Sequence, residues 1–100
     1  MSDDLPVLLI CTVSKFPLGH LVATPGALAG ISHEEMQAAL SRHANGDWGS
    51  LDEHDRKVND SALLQGGRLF SAYDTQQGTR FWIITECDRS VTTILLPEEY

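Results

Sequence analysis

The chain has 100 residues, 42% of them apolar and 21% charged, and its seven Lys and Arg stand against fourteen Asp and Glu for a formal charge of −7. This is the composition of one ordinary globular domain with a single core, which excludes a collagenous or low-complexity chain, and the negative excess opposes direct binding to a phosphate backbone. No stretch approaches the roughly 20 apolar residues of a membrane helix, and the opening "MSDDLPVLLI" carries acids where a secretory signal carries bases, so a cytoplasmic protein without membrane contact is expected.

Residues 7–13, "VLLICTV", form a continuous apolar run with β-branched members and predict a buried strand. A second short strand is predicted from Gly19 to Ala23. In "TPGALAG" Thr24 can cap, Pro25 fits a first helical position and the glycines limit the helix to about one turn. "SHEEMQAALSRHANG" predicts a helix whose capping box is Ser32 with Glu35, whose core face is Met36, Ala39, Leu40, His43 and Ala44, and whose stop is Asn45-Gly46. Ser50 and Glu53 repeat the capping-box spacing for a second helix, with Leu51, Val58, Ala62 and Leu63 toward the core and Gly66-Gly67 ending it. "RLFSAYD", "TRFWIITE" and "SVTTILL" then predict three strands joined by the turns "TQQG" and "CDR", with Phe81 to Ile84 in a central strand because they are apolar on both faces. The expected fold is a single α+β domain: N-terminal strands, two central helices, and a C-terminal three-stranded antiparallel meander packed on the helices.

Between the two helices lies "NGDWG". Trp48 is a candidate exposed anchor for a partner; the competing reading packs its ring over the helix ends, with Asp47 bonding local backbone. Asp47, Asp52, Glu53, Asp55 and Asp60 follow one another through this joint. Three of them, Asp52, Glu53 and Asp55, complement a helix macrodipole. Gathered with Asp74, Glu86, Asp88, Glu98 and Glu99, they would imitate a phosphate track and suit a basic groove. In "TECDRS", Asp88 and Arg89 either hold an anion or serve the turn, Arg89 pairing with an acid such as Glu86. Cys11 and Cys87, and the histidines His20, His33, His43 and His54, lack metal-ligand spacing, so reduced thiols, no metal and no cofactor are expected. His43 reads as a satisfied histidine on the boundary of the core.

The strings "HANGDWG", "GHLVATPGAL" and "RLFSAYDTQQGTRFWIITECDRSVTTILLPEEY" resemble a group of short proteins of bacterial plasmids and integrative elements, often labelled plasmid-related protein and sometimes type I restriction subunit M. The likeness covers most of the chain. It implies a mobile element living in a defended bacterial host, and no methyltransferase glycine-rich motif accompanies it. The leading expectation is therefore a non-enzymatic acidic interaction protein that occupies the basic groove of a host nucleic-acid-handling complex, of anti-CRISPR or anti-restriction type.

A second reading rests on the order of elements, which is similar to that of RelE-like ribonuclease toxins; His43, Tyr73, Arg80 and Arg89 are residue types such enzymes use. Those toxins are usually basic, and a charge of −7 departs from the pattern. A third reading is a regulatory or structural module that forms a homodimer through an exposed edge strand, with the acidic "LLPEEY" as a tail that docks elsewhere.

Overall fold

A computed structural model describes residues 14–100 of the chain. The strand expected at residues 7–13, and Cys11 within it, lie outside the described residues. Strands β1 (His20–Ala23), β2 (Leu69–Asp74), β3 (Arg80–Thr85) and β4 (Val91–Leu95) form one sheet in the order β1-β4-β3-β2. Helices α1 (Pro25–Gly30), α2 (His33–Ala44) and α3 (Glu53–Gln65) separate β1 from β2 in the chain, and a 3-10 turn, Pro97–Glu99, follows β4.

The protein combines α and β structure, with two corrections to the expected plan. The sheet is mixed, because β1 runs parallel to β4 while β2 with β3 and β3 with β4 are antiparallel. Among the described residues three helices stand in place of two. Both corrections arise in residues 19–30. Gly19 adopts φ 68°, and a Cβ there would lie 2.4 Å from the Ser90 carbonyl oxygen, so only glycine lets this segment enter beside β4. His20 N–H then donates to Ser90 O at 2.8 Å, and Thr24 N–H to Ile94 O at 3.0 Å. The Thr24 hydroxyl caps α1 by accepting from Ala27 N–H at 3.3 Å, and Pro25 occupies its first position, so the expected single turn extends to six residues.

Helix α2 buries Met36, Ala39, Leu40, His43 and Ala44, the face its spacing predicts, and packs them over Leu69, Tyr73, Phe81, Ile83 and Ile94. Ser32 caps it, accepting from Glu35 N–H at 3.1 Å. The Glu35 carboxylate accepts from the Ser32 hydroxyl and from Gln76 N–H at 2.8 Å, which ties the start of α2 to the β2–β3 turn. Phe16, Leu18 and Trp48 close the core at the other end.

Helix α3 departs from expectation at its start and on its face. Asp52, not Ser50, is the N-cap, accepting from Asp55 N–H at 2.9 Å, while the Ser50 hydroxyl turns to Asp74. Val58, expected in the core, is 53% exposed, and its neighbour Asn59 is buried instead. The reason is position: α3 serves the open edge of β2, where the inward residue must satisfy backbone. Asn59 Oδ1 accepts from Phe70 N–H at 3.1 Å and its Nδ2 donates to Phe70 O. The next outward-facing residue, Ala72, is taken by the loop, with Ser50 N–H donating to Ala72 O at 2.8 Å and Ala72 N–H to Trp48 O at 3.3 Å. An amide side chain and a loop thereby cover an edge that would otherwise recruit another strand.

Replacing Asn59 by Leu keeps the bulk and leaves both Phe70 backbone groups without partners. Urea unfolding should show a loss of about 2–3 kcal/mol, and gel filtration should show concentration-dependent association through the uncovered edge. An unchanged midpoint and a constant elution volume would refute the edge-covering role.

Candidate functional site

The joint between α2 and α3 is built by short-range bonds. Gly46, at φ 80°, ends α2, and Asp47 clamps Arg42 through two contacts of 2.8 and 3.2 Å while accepting from Gly49 N–H at 3.2 Å. The guanidinium beside it holds the Asp47 carboxyl below the usual carboxylate range. Gly49, at φ 75°, carries the bridge to Ala72, where a Cβ would meet the Ala72 carbonyl oxygen at 2.0 Å.

Trp48 is 3% exposed and is no surface anchor. Its ring stacks on Phe16 and stands edge-on to His43, and its indole N–H donates to Asp60 Oδ1 at 3.0 Å. A small core with few large side chains takes the ring for packing, and Asp60 satisfies the one polar atom. What the joint offers to solvent is the helix that follows. Of the 13 residues of α3 only Asn59 is buried, and Ala62 and Leu63 are partly covered. Asp52, Glu53 and Asp55 are exposed at its start and Asp60 at its middle, Lys57 lies 3.6 Å from Glu53, and Val58 and Leu64 are 53% and 87% exposed. A surface groove of about 550 Å³ runs along His54, Lys57, Val58, Ser61, Ala62 and Gln65, the i, i+3, i+4 spacing of one helix face.

The four residues considered for catalysis are each engaged by other groups, and Arg89 lies near enough to His43 for its charge to reach the imidazole. Arg80 forms a two-contact pair with Asp74 at 2.9 and 3.0 Å. Tyr73 is buried and donates its hydroxyl to Asp47 O at 2.7 Å, with the Arg42 guanidinium 4.8 Å from its ring centroid; burial pushes the phenol well above its ordinary pKa. Arg89, at φ 62°, pairs with no acid among the described residues, contrary to the expected Glu86 contact. It donates to the carbonyls of Gly67, Glu86, Cys87 and Ala62 at 2.6 to 3.3 Å, bracing the end of α3 as a cation suits a helix C-terminus. Glu86 pairs with Arg68 instead, and Asp88 accepts from the backbone and hydroxyl of Ser90 within the turn.

His43 is fully buried. Its Nδ1 is 2.5 Å from Ser71 Oγ, its Nε2 is 2.9 Å from Thr85 Oγ1, Thr85 Oγ1 is 2.7 Å from Thr92 Oγ1, and Thr92 donates to Leu18 O at 2.6 Å. A carbonyl only accepts, so the Thr92 proton points to Leu18. Thr85 must then donate to Thr92, the Nε2 proton to Thr85, and Ser71 to the unprotonated Nδ1. The chain of bonds from Nε2 to Leu18 O has one direction, and burial holds the imidazole in its neutral form. Burial, with the Arg89 charge second, lowers its pKa to about 3. Sequence reasoning found His43 but missed its partners. The signal was present in the alternation, which puts Ser71 on the face of Leu69 and Tyr73, Thr85 on that of Phe81 and Ile83, and Thr92 on that of Ile94.

Among the described residues no group of three or more His, Cys, Asp or Glu is arranged to hold a metal ion, and no helix is long and apolar enough to cross a membrane. The chain matches no described protein family, no curated protein and no solved structure.

The buried imidazole makes stability depend on pH. Its folded pKa is depressed, so below about 6.5 the unfolded chain takes up a proton that the fold refuses, and stability falls as pH drops toward about 3. Between pH 6.5 and 5, above the range in which Asp47 and Asp74 titrate, urea midpoints should register a loss of about 2 kcal/mol. His43→Gln, which bonds without titrating, should flatten that slope; an equal slope in the variant would assign it to other groups.

Proposed function

We propose that the chain is a non-enzymatic interaction protein that docks on a basic partner through α3. The observation carrying this reading is that a 13-residue helix with one buried residue is held at the rim of the sheet by its Asn59 amide, leaving nearly all of its surface for other contacts. Its stability comes from the cap and the edge bonds and asks little of the outward residues, so exposed Val58, one turn from Asp55, and exposed Leu64, near the C-terminal end, have no structural duty that explains them. Exposed apolar side chains set among charges are common in protein interfaces, with charge complementarity supplying register and encounter rate. With the mobile-element setting that the sequence resemblance implies, the partner class is a cytoplasmic host complex whose basic groove handles nucleic acid, as in CRISPR or restriction systems. The acids of α3 then stand where phosphates would.

Tagged full-length chain should retain a nuclease-resistant protein from a bacterial host lysate, released as salt is raised. The double change Glu53→Lys with Asp55→Lys spares the Asp52 cap; it should weaken capture at least about tenfold and flatten its salt dependence. Leu64→Asp should weaken it at every salt concentration. Undiminished capture by both variants would overturn the α3 surface, and growth arrest on expression, relieved by Arg80→Ala, would favour the ribonuclease reading.

A further inference from the structure

The sheet face turned away from α2 carries a second feature. Phe70 on β2 and Trp82 and Ile84 on β3 alternate with the core residues, and together with Tyr100 and Arg68 they line a slot of about 300 Å³. That volume lies at the lower end of the roughly 300–1,000 Å³ range of small-molecule pockets. The Phe70 and Trp82 rings are 5.0 Å apart at 77°, and Trp82 and Tyr100 are 5.7 Å apart at 71°. Both neighbours therefore meet the indole edge-on, and the three rings form a bent wall, not a closed stack.

The polar end of the slot is a single guanidinium. Arg68 Nη1 donates to the Tyr100 hydroxyl at 2.8 Å, and its Nε lies 3.5 Å from the Glu86 carboxylate. The side chain is 47% exposed, and its guanidinium carbon lies 5.5 Å from the Tyr100 ring centroid. Tyr100 is held in place through its neighbour. The Glu99 carboxylate accepts from the Thr24 hydroxyl, from Gly26 N–H and from Leu96 N–H, the last two at 2.9 Å. A Cβ at Gly26 would meet that carboxylate at 2.6 Å, so a side chain there would displace the Glu99 carboxylate from its present place.

We propose that this slot binds a small aromatic carboxylate, its ring against Phe70, Trp82 and Tyr100 and its carboxylate on the exposed guanidinium of Arg68. The rings select a flat apolar body. The charge is set by Arg68 and Glu86 together: one guanidinium, already partly balanced by a carboxylate, suits a monoanion, while Glu86 opposes a dianionic phosphate and Arg68 opposes a cation that the ring faces would otherwise attract. The site is separate from α3 and does not rest on the function proposed for that helix.

The test uses 15N-labelled full-length chain titrated with 1-naphthoate, 1-naphthylmethanol, 1-naphthylmethylammonium and adenosine monophosphate. 1-Naphthoate should shift the Trp82 indole N–H and the Phe70, Ile84 and Tyr100 amides saturably, with a Kd on the order of 0.1–1 mM. The Trp48 indole, bonded to Asp60, should stay in place. Arg68→Gln should weaken binding at least about tenfold. Glu99→Gln, which loosens the staple without touching the slot, should weaken it less while the core amides keep their shifts. Equal binding of all three naphthyl compounds would reduce the slot to a bare apolar patch, tighter binding of the nucleotide would reassign it, and absence of saturation would remove it.

Discussion

The structure depends on one neutral histidine at the centre of its core. His43 joins α2 to β2 through Ser71 and to β3 through Thr85, and the bonds continue through Thr92 on β4 to the Leu18 carbonyl before β1. Apolar contacts over the same surfaces set how closely the elements approach, but they tolerate sliding. A chain of bonds with one direction does not: displacing α2 by a residue would part the buried imidazole from both Ser71 and Thr85, while the Thr85–Thr92–Leu18 bonds would remain. Phe16 and Trp48 stand edge-on to the same ring, so the joint between the helices and the segment before β1 are fixed against it as well.

The two edges of the sheet are managed differently. At β2 the outward groups of Phe70 and Ala72 are taken by the Asn59 amide and by the 48–50 backbone, which makes the joint and α3 parts of the sheet's border. Among the described residues β1 forms the other border, a strand of four residues with Leu21 and Val22 38% and 42% exposed, and its shortness limits its capacity for pairing. The position of α3 follows from the first arrangement: a helix recruited to cover an edge needs one inward polar residue, not an apolar stripe.

That distinction explains what was legible in the sequence. The core face of α2 could be read from spacing, because that helix lies over the sheet and buries one stripe, and β3 could be read as internal because Phe81 to Ile84 are apolar on both faces. Helix α3 misled the same rule, since Val58 and Asn59 are adjacent and only the edge geometry decides which turns inward. The Asp52 cap, two residues later than Ser50, was hidden because Ser50 has equal capping chemistry and is drawn to Asp74 by contacts distant in sequence. The parallel pairing of β1 with β4 was not legible at all, because Gly19 is required by its approach to Ser90, seventy-one residues away. The aromatic slot escaped for a similar reason: Phe70, Trp82 and Tyr100 read as sheet residues and a tail until strand register and the Glu99 staple bring them together.

The same local accounting changes how the charge of −7 is to be understood. Asp47 and Asp74 are neutralised by Arg42 and Arg80, Glu86 is shared with Arg68, Asp88 closes a turn, Glu35 ties α2 to the β2–β3 turn, and Glu99 staples the C-terminal turn to α1. These carboxylates are structural, and in water-exposed pairs their fields are largely cancelled within a Debye length. A net negative charge therefore does not make the whole surface a phosphate mimic. The carboxylates left to act at a distance are those whose bonds are few and whose neighbours are apolar, and Asp55, beside the open face of α3, meets that condition while Asp47 does not. If recognition is electrostatic, it is concentrated on the helix that the edge of β2 holds outward, and the contribution of each acid follows from what else it is bonded to.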